Sequence, residues 1–83
     1  MSQYEKLKAR LMQKLAPKDI RPEELQTFLA KYGFVLQSKG GSHFTYKHEK
    51  LPNLITIQIK NPIGPAYINL IRKAIEEMEG EEQ

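Results

Sequence analysis

The sequence predicts an α+β fold in which helices cover one face of a three-stranded antiparallel sheet. Hydrophobic periodicity gives the order helix, helix, strand, strand, strand, helix. The strands alternate apolar and polar residues, which is typical of an antiparallel sheet with one face on a core and the other in water. With 83 residues and no internal repeat, the chain is expected to form one domain, residues 1–83.

Apolar residues at helical spacing predict three helices. The first covers residues 3–15 and ends before Pro17, because the residue before a proline avoids the α region. The second begins at Pro22, which suits a first helical position, and ends at Gly33. The third begins near Pro65 and runs to Gly80.

Three strands are predicted over roughly residues 34–39, 43–48 and 54–60. Strand alternation and helical periodicity together predict the buried residues. They are Leu25, Phe28, Leu29, Phe34, Leu36, Phe44, Tyr46, Ile55, Ile57, Ile59, Ile71 and Ile75. The opposite face of the sheet is then wholly polar: Gln37, Lys39, His43, Thr45, Lys47, Thr56, Gln58 and Lys60.

The first hairpin tests this assignment, because directly opposed residues share a face of a sheet. A two-residue Gly40-Gly41 turn would mix apolar and polar residues on both faces. A three-residue loop over residues 40–42 pairs Lys39 with His43 and Leu36 with Tyr46, which keeps the faces separate. The pattern therefore predicts an odd-numbered loop with a bulge.

The charges are unevenly distributed along the chain. Up to Ile75 there are 13 basic and five acidic residues, a net charge of +8, whereas residues 76–83 carry five glutamates and no base. A basic body suits a polyanion such as RNA, although a solvated surface with a charged tail explains the composition equally well.

Several classes of site are absent from the sequence. There is no cysteine, no phosphate-binding glycine loop and no carboxylate cluster of the kind that a metal nuclease needs. No apolar run approaches the ~20 residues that span a bilayer, and we expect a soluble, cytoplasmic protein without membrane contact. His43 and His48 fall on opposite faces of one strand, so we expect neither a metal site nor a cofactor.

His43 is the candidate for chemistry. It follows Gly-Gly-Ser at the mouth of the hairpin, between Lys39 and Lys47. A neutral imidazole can take and give a proton near neutral pH, and glycines let a phosphate backbone approach closely. The residues alone leave two interpretations open: a group that assists RNA cleavage by the 2′-hydroxyl, or a turn histidine that hydrogen-bonds its own loop.

From Glu24 to Met78 the chain resembles the HicA family of messenger-RNA-cleaving toxins. The resemblance rests on these segments: Leu25-Gln26-Thr27-Phe28-Leu29, Gly33-Phe34, Gly41-Ser42-His43-Phe44, Thr45-Tyr46-Lys47-His48, Leu54-Ile55-Thr56-Ile57 and the helix from Tyr67 to Glu77. It implies a double-stranded-RNA-binding-like α-β-β-β-α core over about residues 22–79. It also implies a metal-independent endoribonuclease of a type II toxin–antitoxin system with His43 as the catalytic residue, and a HicB-type antitoxin as the partner.

On this interpretation messenger RNA is the substrate, and its backbone is held by Lys39, Gly41, Ser42, Lys47 and Lys60. The sequence departs from the family at two points. Many members have a proline and then a second histidine on the third strand, where this chain has Gln58 and Lys60, so the second proton-transfer group is unidentified. The helix over 3–15 lies outside the usual short toxin and implies either a capping or a dimerising role.

Two other functions remain open at this point. The third-strand departure is compatible with a non-catalytic RNA-binding domain of the same fold. The amphipathic first helix is compatible with a protein-interaction module.

Overall fold

The computed structural model describes residues 3–13, 15 and 17–80. Six elements follow one another: α1 (Gln3–Leu11), α2 (Pro22–Tyr32), β1 (Val35–Gly40), β2 (His43–Lys47), β3 (Ile55–Gln58) and α3 (Pro65–Gly80). The strands form one antiparallel sheet in the order β1-β2-β3. The predicted α+β class, with an α-β-β-β-α arrangement preceded by an extra helix, is confirmed.

One face of the sheet belongs to the hydrophobic core. Ile55, Ile57 and Tyr46 are buried together with apolar side chains of all three helices. Phe44 pairs directly with Ile57, and Tyr46 pairs with Ile55, so β2 and β3 present matching apolar residues to the helices. Thr56 between the two isoleucines is exposed, as the predicted register requires.

The first helix ends earlier than predicted, at Leu11 instead of residue 15. Pro17 has no N–H to bond the carbonyl of Gln13, so that carbonyl needs another donor. Arg72 of α3 takes that carbonyl instead, with a distance of 2.6 Å from Nη1 to the oxygen. Residues 14 and 16 lie outside the described part of the chain.

The second helix has the predicted bounds and both terminal signals. The backbone N–H of Arg21 donates to Oε1 of Glu24 at 3.1 Å, half of a capping box. Gly33 ends the helix in the left-handed conformation with φ 109°, and the Phe34 N–H returns to the Leu29 carbonyl at 2.9 Å.

The hairpin between β1 and β2 corrects the predicted loop. The turn consists of Gly41 and Ser42 alone, with Gly41 at φ 60°, and Gly40 pairs with His43. The extra residue is absorbed within β1 as a bulge at Gln37, which leaves Leu36 opposite Tyr46 as predicted.

This register also moves Lys39 to the other face of the sheet. Lys39 pairs with Phe44 instead of His43, and its Nζ lies 5.6 Å from the centroid of the Phe44 ring. The prediction that Lys39 shares a face with His43 is therefore wrong, because the odd residue lies in the strand and not in the loop.

The predicted core is largely confirmed, with three differences. Leu36 is 42% exposed, and every residue of β1 lies outside the buried core. Phe44 and Ile59 are only partly buried. Ile20 and Ile63 are fully buried although they lie in connections, where the Ile63 N–H donates to the Ile20 carbonyl at 2.9 Å.

The first helix is packed onto the rest of the chain. Leu7 and Leu11 are buried in the common core, and Tyr4 stacks on Phe28 with 5.2 Å between ring centroids. The apolar face of α1 is thus covered within the same chain, as the capping role requires.

A polar contact fastens the same helix to α3. Lys8 Nζ lies 2.6 Å from Oε2 of Glu79, and the Tyr32 hydroxyl donates to that oxygen at 2.8 Å. The bond from Lys8, followed by the bond from Tyr32, holds the pKa of the Glu79 carboxyl below its usual range. Burial, with the adjacent Glu79 carboxylate, raises the pKa of Tyr32, so its phenol keeps its proton and donates.

Leu11→Ala is expected to lower the free energy of unfolding by about 2–5 kcal/mol, because it removes a fully buried side chain of α1. Leu15→Ala is the matched control, since Leu15 is 82% exposed, and should change stability by less than about 0.5 kcal/mol. Urea unfolding of both variants measures the difference. Equal stability of the two variants would show that α1 does not belong to the core.

Candidate functional site

The face of the sheet turned away from the core carries the candidate site, and we call it the wet face. Residues alternate along each strand, so the register places two polar rows across all three strands. One row is Gly40, His43 and Gln58; the next is Ser38, Thr45 and Thr56; Lys47 follows farther along β2, opposite Val35.

His43 lies at the end of β2 beside the Gly41-Ser42 turn, and its residue is exposed. Within residues 3–13, 15 and 17–80, its imidazole has neither a hydrogen-bond partner nor an ion-pair partner. It is therefore not a turn histidine held by its own loop. An exposed imidazole without such partners can exchange a proton with a ligand lying on the wet face.

The neighbours of His43 on the wet face are neutral hydrogen-bonding groups. Gln58 lies directly opposite it on β3 and is half-buried. In the adjacent row, Oγ1 of Thr45 and Oγ1 of Thr56 are 3.0 Å apart and hydrogen-bonded. A backbone bond of 2.7 Å from the Ile59 N–H to the Ser42 carbonyl holds the end of β3 against the turn.

The other residues expected to contact RNA lie at different places on the sheet. Gly41 and Ser42 are exposed in the turn next to His43. Lys47 is on the wet face four residues from His43, roughly 13 Å along the strand. Lys60 is exposed just beyond β3, and Lys39 is exposed on the opposite face. The sequence did not identify Gln58, Thr45 and Thr56 as part of the site, because only the register shows that they lie next to His43.

His48 has a structural role. It is 8% exposed, and its ring packs on Phe34 with 4.9 Å between centroids. Nδ1 accepts the Lys50 N–H at 3.0 Å, so the ring proton is on Nε2, which donates to the Tyr32 carbonyl at 3.2 Å. Both nitrogens are thus occupied by the backbone.

Gly33 accommodates this ring. A Cβ at Gly33 would lie 3.0 Å from Nε2 of His48, so the helix end needs glycine for space as well as for its positive φ. The two histidines therefore divide cleanly, with His48 inside the fold and His43 outside it.

Two grooves lie away from the wet face. One, of about 390 Å³, runs between α1 and α2 beside Tyr4 and Phe28, and the other, of about 600 Å³, lies beside Tyr32 and His48. In the described ranges, no three His, Asp or Glu side chains are grouped as metal ligands would be. None of the described helices is both long and apolar enough to cross a membrane.

His48→Ala is expected to lower the free energy of unfolding by roughly 1–3 kcal/mol, because the ring and its two partly buried hydrogen bonds are lost. His43→Ala should stay within about 0.5 kcal/mol of the parent, since the exposed imidazole has no contact of this kind. Thermal and urea unfolding measure both variants. A destabilising His43→Ala would contradict this division of roles.

Comparison with protein-family models gives a match to "HicA toxin of bacterial toxin-antitoxin" over residues 22–76, about two thirds of the 83-residue chain. Searches of curated proteins and of solved structures gave no significant match. The matched range begins at α2 and includes the sheet, His43 and most of α3, whereas α1 precedes it. The chain belongs to the HicA toxin family of bacterial toxin–antitoxin systems.

Proposed function

We propose that this protein is an endoribonuclease toxin that cleaves messenger RNA on the wet face, with His43 as its catalytic residue. The observation that carries the proposal is the solvent-open, unpartnered imidazole of His43 among the described residues, beside a glycine turn and within the range that matches the family. The open sheet also suits an extended strand of RNA better than a small ligand, because the two grooves described above both lie away from it.

The proposed reaction is attack of a ribose 2′-oxygen on the adjacent phosphorus. The new oxygen–phosphorus bond forms as the bond to the 5′-oxygen breaks, which yields a 2′,3′-cyclic phosphate and a 5′-hydroxyl. One proton leaves the 2′-hydroxyl and one joins the 5′-oxygen. His43 serves as general base for the first transfer or general acid for the second, a role worth roughly 10²–10⁴ in rate, and water serves for the other.

Basic and glycine residues around His43 are proposed to hold the RNA backbone. Gly41 and Ser42 border the reacting phosphate, since they adjoin His43 in the turn. Lys47 takes a phosphate farther along the strand of RNA, and Lys60 contacts it just beyond β3, whereas Lys39 would reach it from the opposite face only around the edge strand β1.

The proposed partner is a HicB-type antitoxin with an acidic surface. It would cover the wet face, compete with RNA for the same lysines and close access to His43. The alternative is a non-catalytic RNA-binding domain, which would keep the lysine contacts without cleavage.

Induced expression in a bacterial host tests the catalytic role. The parent protein should arrest growth, and His43→Ala should abolish the arrest while accumulating as folded protein, because the side chain supplies chemistry and not packing. Asn53→Ala, an exposed change in the loop between β2 and β3, is the control and should remain toxic. Arrest by His43→Ala equal to that of the parent would exclude His43 as the catalytic residue.

Lys47→Met should weaken the salt dependence of RNA binding. Loss of one phosphate contact reduces the slope of log K against log salt by about 0.7 for single-stranded RNA. Lys73→Met is the matched control, since Lys73 is exposed on α3 across the core from the wet face. Fluorescence anisotropy over a salt series measures both slopes, and a larger change for Lys73→Met would place the RNA on the helices.

A further inference from the structure

We propose that Gln58 holds the reacting phosphate of the RNA through its side-chain amide, with the hydroxyl pair of Thr45 and Thr56 as a second donor beside it. The inference rests on the proposed function and names the groups that stabilise negative charge at the same site. Gln58 is the residue directly across from His43 in the sheet, and the register fixes this position.

Gln58 is close enough to His43 for both side chains to reach one phosphate. Directly opposed residues in an antiparallel pair have Cβ atoms about 4.5–5.5 Å apart, and diagonal neighbours are about 7–8 Å apart. A phosphate within hydrogen-bond reach of His43 therefore lies within reach of Gln58 as well. The 2.7 Å bond from the Ile59 N–H to the Ser42 carbonyl keeps the two residues in register at the turn.

Gln58 and the Thr45–Thr56 pair both have hydrogen-bond donors available for a phosphate. The Gln58 amide carries two N–H groups, and within the described residues no hydrogen bond of this side chain is present. In the Thr45–Thr56 pair only one hydroxyl donates to the other. Whichever oxygen accepts keeps its own proton, which is free to donate outward to a phosphate oxygen.

The two lysines within the sheet, Lys39 and Lys47, are both poorly placed to bind the phosphate at His43. Lys39 is on the opposite face, and its Nζ lies over the Phe44 ring. Lys47 is roughly 13 Å from His43 along β2, too far to share its phosphate. Gln58 is thus closer to His43 than either lysine, and it is neutral.

The chemistry makes such donors useful. When the 2′-oxygen attacks, negative charge grows on the two non-bridging oxygens of the phosphate. Fixed donors aimed at these oxygens stabilise the transition state more than the ground state, which raises kcat with little effect on KM. Gln58 transfers no proton, so its contribution is electrostatic, and His43 alone accounts for proton transfer among the residues of the two polar rows.

The test compares Gln58→Met with Gln37→Met. Methionine keeps the length of the side chain but has no N–H donor, and Gln37 is an exposed glutamine at the bulge of β1, on the same sheet. Gln58→Met should lower kcat by about 10²-fold with KM nearly unchanged and the melting temperature retained. Gln37→Met should change kcat by less than about twofold, and an equal effect of the two variants would overturn the proposal.

A phosphorothioate substrate supplies a readout that a structural role would not change. Sulfur in place of one non-bridging oxygen is a poor acceptor, so the parent protein should cleave one diastereomer more slowly than the oxygen substrate. In Gln58→Met that penalty should largely disappear, because the donor it reports is already gone. The same penalty in the parent and in Gln58→Met would show that Gln58 does not touch the phosphate.

A binding measurement separates failure of this inference from failure of the proposed function. The side-chain amide resonances of Gln58 are followed by NMR as short single-stranded 2′-fluoro RNA of random sequence, which cannot be cleaved through a 2′-hydroxyl, is added to the full chain. Shifts of these resonances support the contact even if the parent cleaves no RNA, an outcome that would remove only the catalytic proposal. Unshifted Gln58 resonances, with or without binding elsewhere, would overturn the inference.

Discussion

The burial of Tyr46, Ile55 and Ile57 under the helices determines which residues of the sheet face water and therefore where the candidate site lies. Because side chains alternate along a strand, fixing these three on the core side fixes which neighbours face water. A shift of one residue would bury His43 and Thr45 and expose the isoleucines, at a cost of several buried apolar side chains worth roughly 1.5–3 kcal/mol each. Core packing therefore determines which residues form the candidate site.

The sequence contains enough information for the layer order, the second and third helices and the faces of β2 and β3. Those features depend on local periodicity and on proline and glycine at helix ends. The geometry of the hairpin could not be predicted in the same way. An extra residue placed either in the turn or within a strand leaves Leu36 opposite Tyr46. Only the backbone pairing distinguishes a three-residue loop from the observed bulge at Gln37, and that distinction moves Lys39 to the other face.

Burial in the connections was not predictable for a related reason. Ile20 and Ile63 belong to no periodic segment, and they meet through a backbone hydrogen bond between two loops distant in sequence. The exposure of Leu36 was likewise not predictable, because alternation shows which face of β1 a residue occupies and not whether the core covers that strand. For the site, His43 could be identified from its Gly-Ser-His context and the family resemblance, whereas the position of Gln58 directly opposite His43 follows only from the alignment of β3 with β2.

The first helix extends the family core without altering the site. Its contacts run to α2 and α3 through Leu11, Tyr4 and the Lys8–Glu79 pair, all on the side of the molecule opposite the wet face. It adds buried area to a short chain, for which each buried side chain is a large share of the stability. The wet face thus stays open while the helical side is reinforced.

Analysis of the product ends is the sharpest test of whether the imidazole of His43 takes part in RNA cleavage. Purified protein is incubated with single-stranded RNA in the presence of a metal chelator, beside His43→Ala prepared identically, and the termini of the fragments are determined by mass spectrometry. We expect fragments ending in a 2′,3′-cyclic phosphate or 3′-phosphate and beginning with a 5′-hydroxyl, from the parent only. Fragments with 5′-phosphate ends, or equal cleavage by the alanine variant, would contradict it.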